Sequence, residues 1–221
     1  MIALKKSSAQ QPQKRQHFDP ASLRPTCIIC QEKGHWYTSC KRRLTQPLVN
    51  VLAFSGKMDV LSNFYPCKIE VFDMIFPSAE HAYQYTKAMM CGCKEIASKI
   101  YNAPTAWKAK QLSRLIKTTE QWEADKYKHM LDINRAKCDN IEEYYNILVN
   151  SKDVLIAEAV PGDKVWSCGL SKTHAAWYKP EDWPGRNRMG QIHMLIRNEI
   201  LTSHATTPME TATSRGEVET L

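Results

Sequence analysis

No apolar run in the chain approaches the ~18 residues that a membrane-spanning helix needs, so no membrane contact is expected. The first stretch, Met1 to Gln13, lacks the apolar core of a secretory signal, which sets a cytoplasmic or nuclear address as the expectation. In such a compartment the eight cysteines are thiols or metal ligands rather than bridges. No internal repeat occurs, and this sets aside solenoids and propellers. Acidic residues are almost missing from the front of the chain. Residues 1 to 50 hold nine Lys and Arg against only Asp19 and Glu32, while residues 51 to 221 hold 21 of each sign. The net charge of +7 therefore sits wholly in the first fifth. A basic segment of this kind suits a polyanion through counterion release and equally suits a solvated tail.

What is present is ordinary globular composition, 43% hydrophobic and 24% charged over 221 residues, enough for one domain with a core and a small attachment. Residues 1 to 25 carry Gln, Ser, Lys and Pro with too little apolar surface to offset ordering, and a disordered basic tail is expected there. Residues 202 to 221, rich in Thr, Ser and Glu, are expected to be a second one. Between them periodicity predicts helices over Ser78–Met90, Thr105–Ile116, Glu120–Leu131, Asn140–Leu148 and Met189–Leu201. Ile141, Tyr144, Tyr145 and Leu148 fall on one helical face, with Asn140 as the expected N-cap. Val49–Phe54, Cys67–Phe72 and Val154–Val160 read as strands bounded by turn residues.

Cys27, Cys30, His35 and Cys40 follow the spacing Cys-x2-Cys-x4-His-x4-Cys. Two thiolates three residues apart can grip an ion from a tight turn, and the later His and Cys complete a tetrahedron suited to structural zinc. Gly34 supplies a permissive backbone before His35. The pattern resembles the zinc knuckle of retroviral nucleocapsids and cellular RNA-binding proteins, which sets residues 26–43 apart as a small domain. That resemblance implies single-stranded RNA or DNA as partner, with Trp36 stacking on a base and Lys33, Lys41, Arg42 and Arg43 meeting phosphates. Ile28 stands where such knuckles usually carry a second aromatic. A protein-binding knuckle is the other reading. Cys67, Cys91, Cys93, Cys138 and Cys168 show no second ligand spacing.

Polar residues elsewhere carry bland and functional readings side by side. Asn63 and Phe64 lie in Leu61–Pro66, a turn closed by proline or a binding loop. Glu80 falls in the first turn of a helix that Ser78 can cap, where it suits the helix dipole as well as chemistry. Lys87 lies two turns further along the same face. Glu158 interrupts an apolar strand, a costly place for a charge without a function or a partner. Asp163 and Trp166 follow in a Gly/Pro loop, and Arg186, Asn187 and Arg188 approach the start of the last helix, a ready anion site.

Taken in order, Leu61-Ser62-Asn63-Phe64, Ser78-Ala79-Glu80-His81 with Gln84 and Lys87, Arg114 with Trp122, Lys126 and Met130, Glu158 with Asp163 and Trp166, and Asn187 with Gly190 resemble the NADAR domain family. That family includes the riboflavin-biosynthesis-intermediates N-glycosidase. The likeness spans residues 50–201 and departs at Ser167, where the family has glycine after the tryptophan. It implies a compact, predominantly helical α+β domain with a few short strands that hydrolyses the C1–N bond of a ribose-phosphate or ADP-ribose N-glycoside. No catalytic metal is implied. In that reading Glu80 is the first candidate for the catalytic carboxylate and Asp163 the second, with Glu158 supporting the ribose. Trp122 or Trp166 stacks on the leaving base, Lys87 and Arg188 meet phosphate, Asn63 orients the sugar, and Phe64 and Asn187 contribute to substrate binding. Two alternatives stay open: removal of ADP-ribose from a nucleobase of modified nucleic acid, and a non-catalytic nucleotide sensor.

Overall fold

The computed structural model describes residues 32–35 and 47–205. The chain divides into two units, Met1–Thr45 and Gln46–Leu221. Cys27, Cys30, Trp36, Cys40, Lys41, Arg42 and Arg43 lie outside the described residues, as do residues 1–25 and 206–221.

Among the described residues of the second unit four short strands and seven α-helices follow in the order β1 (Val51–Phe54), β2 (Ile69–Val71), β3 (Met74–Phe76), α1 (Ala79–Met90), α2 (Lys94–Tyr101), α3 (Ala106–Ser113), α4 (Glu120–Asn140), α5 (Glu142–Asn150), β4 (Leu155–Glu158), α6 (Lys172–Ala175) and α7 (Arg188–Ala205), with a 3-10 turn over Pro180–Asp182 between the last two. The domain is thus helical in the main, with few strands. β1 and β4 pair in parallel, Val51 opposite Leu155 and Phe54 opposite Glu158. β2 and β3 form an antiparallel hairpin. Phe54, Leu61, Ile69, Phe76, Ile133, Tyr144, Leu148, Ile156 and Ile192 close the core between strands and helices.

Local chemistry sets the element ends, and it corrects several expected ones. The strand expected over Cys67–Phe72 stops at Val71 because Phe72 and Asp73 both take left-handed backbone (φ 54° and 57°), the geometry of a two-residue hairpin turn. The short β3 beyond it was not expected. The helix expected to end at Leu131 continues nine residues further, since nothing from Asp132 to Asp139 breaks it and Ile133 and Lys137 face the core. Asn140 is therefore the last residue of α4, not the cap of α5, and its side chain bonds the Ala136 carbonyl and the Glu70 amide. α5 starts from Ile141 without a side-chain cap. α2 was also missed, and α7 runs four residues past Leu201.

Candidate active site

The first wall of the site is α1. Ser78 takes an extended backbone and accepts the His81 amide through its hydroxyl, a regular N-cap. The same hydroxyl meets His81 Nδ1 at 2.7 Å, and Nε2 of that ring lies 3.0 Å from the Ala103 carbonyl. Burial lowers the His81 pKa. The Glu80 amide, one of the donors a helix start leaves unpaired, donates to the Asn63 carbonyl at 3.0 Å. One backbone bond thus joins the Leu61–Pro66 loop to the helix that carries the carboxylate. Glu80, Tyr83 and Gln84 share a face, and Gln84 Nε2 donates to Glu80 Oε1 at 2.8 Å.

The second wall is the end of β4 and the loop after it. Asp163 Oδ1 accepts the amides of Val165 and Trp166, both at 2.9 Å, so this oxygen is committed to its own loop. The Ser167 hydroxyl, fully buried, donates to the Glu158 carbonyl at 2.8 Å and accepts the Val160 amide at 2.7 Å. This hydroxyl therefore staples the loop to the strand. Asn187, left-handed at φ 48°, spans the strand end. Its Nδ2 donates to the Ile156 carbonyl at 2.9 Å and its Oδ1 accepts the Glu158 amide at 3.1 Å. Gly190 lets α7 approach that closely: a Cβ there would lie 2.1 Å from the Ile156 carbonyl oxygen.

Between these walls lies a cleft of 320 Å³ lined by Asn63, Phe64, Glu80, Tyr83, Gln84, Lys110, Lys126, Met130, Glu158, Asp163, Val165, Trp166 and Met189. A wider groove of 580 Å³ beside α5 has only exposed acids, Glu142 and Glu143, and offers no withdrawn charge for chemistry. In the cleft Glu80 is 4% exposed, and burial raises its pKa against the pull of Lys110 and the Gln84 hydrogen bond, with Asp163 adding to the rise. Desolvation, reinforced by Asp163 and Glu80 and opposed by Lys110, pushes Glu158 up to about 8. Glu158 as a whole is half-buried. Glu80 thus raises the proton affinity of Glu158 across the cleft, and each is held above the ordinary carboxylate range chiefly by desolvation. The amide oxygens of Asn63 and Gln84 are buried without a partner, while Asn63 Nδ2 lies 3.0 Å from the Met130 sulfur. Unpaired buried acceptors carry a desolvation cost that a ligand hydroxyl or amine would relieve.

The structure brings together six of the expected residues: Asn63, Phe64, Glu80, Glu158, Asp163 and Trp166. Four others serve the frame. Trp122, 2% exposed, sits behind the cleft, packed on Tyr83 and stacked on His129, so the base-stacking role expected of it does not fit. The Lys87 ammonium donates to the Ser113 carbonyl, because two turns along α1 the helix has already left the cleft. Arg188 lies over the Tyr127 ring and bonds Gln191. Asn187 positions Glu158 rather than touching the cleft. Sequence reasoning missed Tyr83, whose place one turn after Glu80 was a usable signal, and Lys110, for which nothing in the chain gave one. It also missed Lys137, fully buried in the core, whose ammonium donates to the Ser62 carbonyl at 2.7 Å and braces the loop that carries Asn63. Burial lowers Lys137 to about 8.

Of the expected zinc ligands only His35 lies among the described residues, and Lys33 is exposed there. Among the described residues no group of three potential ligands converges on a metal position. No helix among them is long and apolar enough to cross a membrane.

Residues 53–201 match the family pattern of the NADAR domain. The chain belongs to this family. It is 27% identical over 161 residues to protein irg-1 of Caenorhabditis elegans, covering 65% of this chain and 76% of that one. It is 29% identical over 126 residues to N-glycosidase R617 of Acanthamoeba polyphaga mimivirus, covering 56% and 74%. The solution structure of the E. coli protein YbiA shares the NADAR fold of this chain with a TM-score of 0.60 at 19% identity, covering 76% of this chain and 96% of that one.

Proposed function

We propose that this N-glycosyl hydrolase cleaves the C1–N bond of a ribose-phosphate or ADP-ribose N-glycoside in the Glu80–Glu158 cleft. The observation that carries the reading is the meeting of these two carboxyls, from different segments, in one shielded cleft with raised proton affinity. Breaking the bond builds oxocarbenium character on the ribose, which a carboxylate stabilises. Water forms the new O–C1 bond and gives its proton to Glu80, while the C1–N pair leaves with the base and takes the Glu158 proton. Trp166 covers the base, Lys110 and Lys126 face phosphate, and the free amide oxygens of Asn63 and Gln84 accept from sugar hydroxyls. The name of the mimivirus relative supports the bond type.

Residues 26–43 add single-stranded nucleic-acid binding. The Cys-x2-Cys-x4-His-x4-Cys spacing supports a structural zinc on Cys27, Cys30, His35 and Cys40, and a native mass spectrum without a zinc adduct would remove this part.

The test is single-turnover release of free base from a ribosylamino-pyrimidine phosphate and from ADP-ribosylated guanine DNA. Glu80→Gln is expected to slow release about 10²–10³-fold without lowering the melting temperature, since the amide keeps the shape and removes a charge that burial disfavours. Release at the wild-type rate moves the role to Asp163. Absence of turnover by the wild type on both substrates overturns the reading.

A further inference from the structure

Phe64 is shared between the cleft and a neighbouring pocket of 360 Å³, whose other walls include Pro66, Pro77, Pro104 and Trp107, with Lys57 at its rim. Its size falls within the range of small-ligand sites. Trp107 leaves 53% of its surface in water, and single exposed apolar residues are common enough to mean nothing alone. Its surroundings are not common. From Thr105 to Thr119 the chain carries Lys108, Lys110, Arg114 and Lys117 and no acid. Among the described residues none of the four enters an ion pair. Trp107, Lys110 and Arg114 fall at i, i+3 and i+7, one face of α3 continued through its C-cap. The Arg114 guanidinium lies 5.7 Å from the Trp107 ring centre, and the Lys110 ammonium lies 5.2 Å from that of Phe64, on the ridge between the two pockets.

Aromatic plates alternating with unpaired cations are how proteins hold unpaired nucleotides, the plates stacking bases and the cations following phosphates. We infer that the Trp107 pocket and the basic run from Lys108 to Lys117 form a track for a single-stranded nucleic acid on the catalytic domain itself, seating the base next to the nucleotide held in the cleft. A strand fits better than a free dinucleotide. Lys110 and Lys126 line the cleft itself, while Arg114 and Lys117 are not among its lining and continue the acid-free basic run outside it. The track rests on the cleft holding a nucleotide, as proposed above. It makes the nucleic acid substrate rather than tether: the strand that stacks on Trp107 presents its neighbour to Glu80.

The full-length protein is photo-crosslinked to a 12-nucleotide single strand carrying 4-thiothymidine, and the adducts are located by peptide mass spectrometry. Adducts are expected within Thr105–Thr119 as well as within residues 26–43. By fluorescence anisotropy, Trp107→Ala is expected to weaken binding of the same strand about five- to 150-fold, the share of one base stack. Arg114→Ala with Lys117→Ala should flatten the log–log salt dependence by about 1.4, roughly 0.7 for each phosphate that is no longer neutralised. These side chains are exposed, so melting temperatures should hold. Adducts confined to residues 26–43, or unchanged affinity in Trp107→Ala, overturn the track. Protection of Trp107 by ADP-ribose but not by the strand also overturns it, in favour of a small-molecule subsite. Crosslinking needs no turnover, so its failure beside intact base release refutes the track alone, and adducts at Trp107 without base release refute the hydrolytic reading alone.

Discussion

The two walls of the cleft are built in opposite ways. On α1, one segment supplies the cleft carboxyl and its geometry together: Ser78 caps, Glu80 faces the cleft, Tyr83 and Gln84 follow at helical spacing. On the other side Glu158 and Trp166 sit on a strand end and loop held by the Ser167 hydroxyl within that loop and by Asn187 from the start of α7, which Gly190 lets approach. On the first wall the proposed function and stability should separate, because Glu80→Gln keeps the shape that packs there. On the second they should not, since residues far from the substrate determine where its carboxyl stands.

The largest effect that tests this contrast belongs to Glu158→Gln. A general acid contributes about 10²–10⁴ in rate, and release is expected to fall by that order. In the wild type the acid form vanishes as pH rises through about 8, so release declines there, and the amide variant should show no such limb. The raised pKa also means that Glu158 favours the fold below its ordinary value of 4.5 and loses that contribution as pH climbs to about 8. Urea melts between pH 5 and 9 should show this slope in the wild type and a flatter one in the variant. Equal slopes would place the proton elsewhere.

Gly190→Ala comes next. Its new methyl meets the Ile156 carbonyl at 2.1 Å and the Asn187 amide at 2.4 Å, backbone and buried side chain with nowhere to go. A loss of about 3 kcal/mol or more is expected in urea melts, with slower base release although residue 190 does not line the cleft. Unchanged release in a destabilised variant would show that α7 does not position Glu158.

The smallest effect is expected at Lys137, which braces the α1 side through the Asn63 loop. Lys137→Met loses the bond to the Ser62 carbonyl but no longer buries an ammonium, so the net change at pH 7 should stay within about 1 kcal/mol. Because the folded pKa is about 8 against the ordinary 10.5, the unfolded chain binds more protons between these values, and wild-type stability should gain across that window. Melts at pH 7.5 and 10.5 should show that gain in the wild type and none in Lys137→Met.

The same contrast explains what could be read from the chain. Glu80, Asp163 and Trp166 were placed by the family resemblance, and their spacing survives in short runs whose cap or turn chemistry is local. Helix α1 was legible to within a residue for the same reason. Lys87 was misplaced because equal facing along a helix says nothing about where the cleft ends. Trp122 was misplaced because depth is a property of the packed domain, here set by Tyr83 lying over it. Lys110 differs from Lys108 only in what α3 meets after folding, and Asn187 looks like an anion ligand until the strand beneath it is seen.

The bond from the Glu80 amide to the Asn63 carbonyl pins both ends of the chain between those residues. Everything from Tyr65 to Ser78, the β2–β3 hairpin included, is then a closed excursion whose ends no longer depend on its length. Lengthening such a loop costs little, about 0.6 kcal/mol for each doubling, and the exposed tip at Phe72–Asp73 is where residues can be added. The hairpin is thus the place where this domain can grow new surface while Asn63 and Glu80 keep their separation.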